Sequence, residues 1–193
     1  EGTEESLDGL TRAQLRRFQS GHYHPGNTYI SAAGKISHRA LVSQVRRLTE
    51  GLQCGANGSG FVPVPQQNKR PCVKVLRRDI EQTQIALAID TCSRSAPQRY
   101  AVRMLGALLA ENMSSRLYQS LRERHGLAYS VSSSPNSFAD IGDLTITAGV
   151  DSDRLSAALE LIQKELRRLK RRPPSVGELN AAREYVIGQF ELY

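Results

Sequence analysis

The chain has 193 residues, 39% hydrophobic and 23% charged, enough apolar side chains to bury a core in one or two domains. No apolar run approaches the roughly 18 residues that a membrane helix needs, and the acidic, polar residues 1–10 are unlike a secretory leader. The net charge of +7 raises a nucleic-acid or membrane partner as a question, which the placement of the basic residues has to answer.

In chain order, Thr11 and Gln14 make a capping box, and Leu10, Leu15 and Phe18 predict a short amphipathic helix behind it. His24-Pro25-Gly26-Asn27 breaks that helix, residues 28–33 predict a strand, and Gly34 ends it. Ser37 is placed to cap the next helix, whose apolar face is Leu41, Val42, Val45 and Leu48. Residues 51–71 hold four Gly and three Pro with almost no periodicity, and are expected to link two domains. Beyond them, strands are expected over 73–77 and 83–89, and helices over about 97–110 and 114–124.

Gly126 sits where a left-handed helix-ending glycine belongs. The alternation in 127–133 predicts a half-buried strand, and a turn through 135–142 leads into another over 143–150. Leu155, Leu159, Ile162, Leu166 and Leu169 mark one helix, which Pro173-Pro174 stops. Ser175 and Glu178 cap a last helix with the stripe Leu179, Ala182, Val186 and Phe190. The order β-β-α-α-β-β-α-α, with strands in hairpin-like pairs, predicts an α+β fold, a mostly antiparallel sheet with helices packed on one face. The chain does not begin with Met and stops inside a helical pattern, so both ends are expected to be cut.

Much of the basic excess is Lys164, Arg167, Arg168, Lys170, Arg171 and Arg172, on the solvent side and C-terminal end of a helix, where the dipole favours cations. With four Phe, seven Tyr and no Trp for stacking on bases, a solvated helix end is the expectation, and neither nucleic acid nor membrane is expected as a partner. Cys54, Cys72 and Cys92 are odd in number and widely spaced, which predicts neither a disulfide framework nor a zinc knuckle but free thiols in a reducing, cytoplasmic compartment.

The four histidines, His22, His24, His38 and His125, form neither H-E-x-x-H nor H-x-x-E-H, so no metal site is expected within the chain. No G-x-S-x-G, P-loop or G-x-G-x-x-G occurs either, and the sequence holds no complete catalytic apparatus. What remains is Arg122 near a helix end and Tyr129 near a strand start, with Gly126 folding the chain between them. A guanidinium fork and a neutral phenol suit carbonyl oxygens, including one turning negative in a tetrahedral intermediate. On spacing alone, a surface arginine beside Glu123 and Arg124 and a core tyrosine are the simpler account of the pair.

The segment Glu111-Asn112-Met113-Ser114-Ser115-Arg116-Leu117-Tyr118, followed by Leu121-Arg122-Glu123-Arg124-His125-Gly126-Leu127-Ala128-Tyr129-Ser130-Val131, resembles the best-marked segment of the pitrilysin/insulinase family of zinc metallopeptidases. Mitochondrial processing peptidase and small bacterial peptidases belong to it. Residues 78–83, 140–144 and Glu178-Leu179 with Ala182 and Gly188 resemble later family segments in order. Residues 10–34 resemble the end of the preceding homologous domain. One departure is Ala110-Glu111-Asn112, where the family often has a glycine-rich turn.

The resemblance implies a two-domain unit with a truncated first domain: 1–50 its tail, 51–71 the linker, and 72–193 a substrate-clamp domain. It implies zinc held in the full-length parent or a partner subunit and none by this chain, which alone would be inactive. It implies a peptide or unfolded-protein substrate lying as an added strand on a sheet edge, and a homo- or heterodimer with a zinc-bearing subunit or domain. Tyr129 would then hydrogen-bond the scissile carbonyl or its oxyanion, and Arg122 a neighbouring carbonyl. A non-catalytic partner subunit of the same family is the alternative, and a basic nucleic-acid-binding module the second.

Overall fold

A computed structural model describes residues 2–52, 62–64 and 71–192. The chain divides into two compact units, Glu1–Val62 and Pro63–Tyr193. Residues 53–61 and 65–70 of the predicted linker, Cys54 among them, lie outside the described residues.

In the first unit, α1 (Glu4–Asp8) is capped by Thr3, and α2 (Arg12–His22) by the Thr11–Gln14 box that the sequence predicts. The backbone N–H of Thr11 donates to Gln14 Oε1 at 2.7 Å, and that of Gln14 to Thr11 Oγ1 at 3.3 Å. Pro25–Asn27 then forms a single 3-10 turn. α3 (His38–Thr49) starts after Ser37, whose side chain makes no capping hydrogen bond. Residues 28–33 form no strand, against expectation: a strand needs a neighbour for its N–H and C=O groups, and among the described residues nothing pairs with them. Tyr29 is 99% exposed.

The second unit is built on three antiparallel strands, β1 (Thr83–Thr91), β2 (Ala128–Ser137) and β3 (Gly142–Val150), in the order β1-β3-β2. Residues 73–77 are a second correction: their Val alternation reads as a strand, yet they are unpaired and Val73 is 86% exposed. α4 (Arg99–Leu109), a π-helix (Tyr118–Arg124), α5 (Leu155–Arg171) and α6 (Val176–Leu192) complete the unit. The helix expected over 114–124 therefore starts late and is mostly π. Its buried residues Leu117 and Leu121, four apart, suit either helix period, so the apolar spacing could not separate them.

The core follows from the period of two in the central strand β3. Leu144, Ile146, Ala148 and Val150 point to one face, flanked in register by Ile89, Leu87 and Ile85 of β1 and by Pro135, Ser133, Val131 and Ala128 of β2. Leu109 of α4, Leu117 and Leu121 around the π-helix, and Ala158 and Ile162 of α5 close over that face, giving the α+β layer with helices on one side. α6 packs on α4, where Ala182, Tyr185 and Val186 meet Ala107 and Leu108. Phe190, expected in that stripe, is exposed. Gly106 lets α4 approach β2: a Cβ there would lie 2.4 Å from Glu111 Oε1 and 3.2 Å from Pro135 Cδ. Ser133 fastens the contact, its buried hydroxyl donating to the Gly106 carbonyl at 2.8 Å.

Candidate functional site

Ala110-Glu111-Asn112, where the family often has a glycine-rich turn, and the residues on to Arg116 are held by side-chain contacts. Glu111 pairs with Arg103 of α4, and the Tyr185 hydroxyl donates to the Glu111 carbonyl at 3.2 Å. Asn112 Nδ2 donates to the Ala107 carbonyl at 3.2 Å, while Asn112 Oδ1 accepts from the Ser114 backbone at 3.0 Å. Arg116 then reaches across 62 residues to Glu178 as a two-pronged fork, with Nε to Oε1 at 2.8 Å and Nη2 to Oε2 at 3.0 Å. This guanidinium, helped by the Ser175 backbone N–H, lowers the Glu178 carboxyl from its ordinary value to about 2. Glu178 caps α6 with Ser175 as the sequence predicts. Its pairing with Arg116 was hidden by sequence distance.

Gly126 adopts φ +57°, the left-handed turn expected of it, and open space surrounds the position of a Cβ. Its N–H donates to the Arg122 carbonyl at 3.1 Å and the N–H of Leu127 to the Leu121 carbonyl at 2.7 Å, so the π-helix ends cleanly. Arg122 lies in its last turn, half exposed, with its guanidinium 5.2 Å from the centre of the Tyr118 ring and Nε 4.0 Å from Glu123 Oε1. Tyr118 in turn lines a cleft of about 560 Å³ with Glu111, Val131, Ser132, Pro135 and Tyr185.

Tyr129 stands on a β-bulge. Ala128 pairs with Val150 and Ser130 with Gly149, so Tyr129 is the extra residue between two successive β3 partners. Ala128 and Val131 point into the core, whereas Tyr129 is 58% exposed, not the core aromatic that simple alternation allows. Its hydroxyl donates to Asp151 Oδ2 at 3.4 Å. Arg154 Nε lies 3.9 Å from the same oxygen, and Arg154 Nη1 donates to the Gly126 carbonyl at 3.0 Å. The turn thus brings Arg122 and Tyr129 to its two sides, the guanidinium with unused donors and the phenol with its one proton given to Asp151. Their side chains take different partners, and no hydrogen bond joins them. Asp151 and Arg154, 22 and 25 residues beyond Tyr129, carried no signal in the sequence.

Among the described residues no group of three His, Cys, Asp or Glu could hold a metal ion. His22 Nδ1 faces the Phe18 carbonyl at 2.9 Å and His125 Nδ1 the Ser120 carbonyl at 2.8 Å, each a contact within its own helix end. Cys72 and Cys92 are free thiols, and no described helix is long and apolar enough to cross a membrane. Lys164, Arg167, Arg168, Lys170 and Arg171 line the solvent face of α5, three of them in its last turn.

An uncharacterized zinc protease of Streptomyces coelicolor is 32% identical over 170 residues, covering 86% of this chain and 37% of the relative. The uncharacterized zinc protease YmxG of Bacillus subtilis is 31% identical over 191 residues, 99% of this chain and 46% of the relative. The chain therefore spans less than half the length of these curated relatives. A Helicobacter pylori protease shares the fold at a TM-score of 0.85 and 20% identity, over 98% of this chain and 46% of that one. A peptidase M16 inactive domain from Pseudomonas fluorescens shares it at 0.81 and 23%, over 97% and 45%. The model of the peptidase M16 inactive domain matches residues 9–186, and the chain belongs to that family.

Proposed function

We propose that this chain is the substrate-clamping part of a zinc metalloendopeptidase, with zinc held by residues outside it, in the full-length parent or a partner subunit. Residues 1–50 are the tail of the preceding domain, 51–71 the linker and 72–193 the clamp domain. The substrate is a peptide or unfolded protein bound in extended form, and the parent works as a homo- or heterodimer. Its free thiols at Cys72 and Cys92 suit a reducing, cytoplasmic compartment.

One observation carries this reading. The two exposed donors Arg122 and Tyr129 flank a left-handed glycine, and each sits on a backbone irregularity, a π-helix and a β-bulge. Such irregularities re-aim a side chain at the cost of regular pairing, and they concentrate at functional sites. Tyr129 donates to the scissile carbonyl, and donates more strongly as that oxygen becomes negative. Arg122 binds a neighbouring carbonyl of the same extended backbone. Zinc bound outside this chain would polarise the scissile carbonyl and activate the attacking water.

The test is a zinc and activity comparison between this chain and the full-length parent. The chain alone takes up no zinc at one equivalent and cleaves no peptide. The parent does both and loses most of its activity on Arg122→Ala. Stoichiometric zinc and cleavage by the chain alone, or a fully active Arg122→Ala parent, would overturn the proposal.

A further inference from the structure

As the extra residue of a bulge, Tyr129 has no cross-strand partner to hold its ring. The phenol is long enough to adopt several exposed positions, and a donor so placed needs something else to aim it. Asp151, the residue just after Val150 at the end of β3, supplies the contact that cross-strand pairing does not. The hydroxyl reaches its Oδ2 at 3.4 Å. Arg154 completes a chain of contacts, holding the Gly126 carbonyl at 3.0 Å and lying 3.9 Å from the same Asp151 oxygen. The turn that sets Arg122 and the bulge that sets Tyr129 are thereby tied to one pair of side chains.

We propose that Asp151 is a positioning residue for Tyr129, holding the phenolic hydroxyl until a peptide carbonyl replaces it, with Arg154 keeping a cation beside the carboxylate when the phenol leaves. This rests on Tyr129 being the carbonyl-binding donor. A phenol has one proton to donate, so the bond to Asp151 and the bond to a substrate carbonyl exclude one another. At 3.4 Å the resting bond is long for O–H···O, hence weak and readily exchanged. Arg154 is fixed through the Gly126 carbonyl, so the carboxylate is not left without a counter-charge during the exchange. Asp151 thus holds the donor in reach and also competes with substrate for it, which predicts an effect on binding and not on chemistry.

Two measurements test this. In the whole chain labelled with ¹³C at tyrosine Cζ, Tyr129→Phe assigns the resonance. Asp151→Ala moves it, and an unstructured peptide of Ala, Ser and Gln moves the wild-type resonance the same way. A Tyr129 resonance indifferent to Asp151→Ala overturns the proposal. In the full-length parent, with quenched-fluorescent casein as substrate, Asp151→Ala lowers KM about two- to fivefold, as expected for losing one solvent-exposed competing hydrogen bond, and leaves kcat nearly unchanged. In a Tyr129→Phe background the same substitution does nothing further. Equal effects of Asp151→Ala in both backgrounds would show that it acts through general structure, and the positioning role falls. If Tyr129→Phe alone changes neither kcat nor KM, the clamp itself fails, and this inference with it.

Discussion

The two units of the chain use similar helices to different ends. In the second, β3 and the helices above it bury Leu109, Leu117, Leu121, Leu144, Ile146 and Ile162 almost completely. In the first, α2 and α3 are as clearly amphipathic by sequence, yet among its described residues only His24 is buried, and both its ring nitrogens lack partners. Leu15 and Phe18 of α2 and Leu48 of α3 face outward, and the β-prone residues 28–33 find no ladder. Amphipathic pattern and good caps make helices, but a core needs a second layer to close on. Arg122 and Tyr129 belong to the second unit, and the irregular backbone that carries them is tolerated there because Leu121, Ala128 and Val131 on either side are buried.

Substitutions can break this contrast. Ile146→Ala should destabilise the second unit by about 2–5 kcal/mol in denaturant unfolding. Leu15→Ala, at a side chain already 59% exposed, should change stability by no more than about 0.5 kcal/mol. Amide exchange followed alongside should find β3 far better protected than α2. An equally costly Leu15→Ala would mean that the first unit packs as tightly as the second.

The same substitution should have opposite signs in the two units. Gly106→Ala forces a methyl against Glu111 and Pro135 and should cost about 1–3 kcal/mol. Gly21→Ala in α2 meets nothing within 4 Å and should gain about 0.5–1 kcal/mol, read as a shift in thermal midpoint.

The Arg116–Glu178 fork sharpens the contrast by pH. Glu178 has its folded-state pKa depressed from 4.5 to about 2. The stability this brings is therefore fully present above about 4.5 and is lost as pH falls towards 2. Glu178 is 39% exposed, so solvent screening reduces the effect to about 1–2 kcal/mol. Unfolding at pH 6 and pH 3 should show this slope in the wild type and a much smaller one in Arg116→Gln. The same slope in both would remove the fork as its cause.

Much of the fold was legible where its signals are local. Thr11 with Gln14, Ser175 with Glu178, Gly126 at a helix end and the alternation of β3 each act within a few residues, and each is found where the sequence puts it. What was missed depends on partners. Residues 28–33 and 73–77 have strand-like composition, but a strand exists only through its neighbours. The π-helix was hidden because Leu117 and Leu121 fit the α period equally well. The bulge at Tyr129 depends on the register against β3, and Asp151, Arg154 and the Arg116–Glu178 fork depend on contacts across long stretches of chain. Arg122 and Tyr129 were singled out by resemblance, and the fold adds that each is exposed on a re-aimed backbone.

The most direct measurement is the steady-state kinetics of Tyr129→Phe in the full-length parent, a change that removes one hydroxyl and leaves the ring. The account predicts that kcat falls about thirty- to a thousandfold, equivalent to about 2–4 kcal/mol of transition-state stabilisation, while KM moves by less than about threefold. A kcat equal to that of the wild type would contradict it.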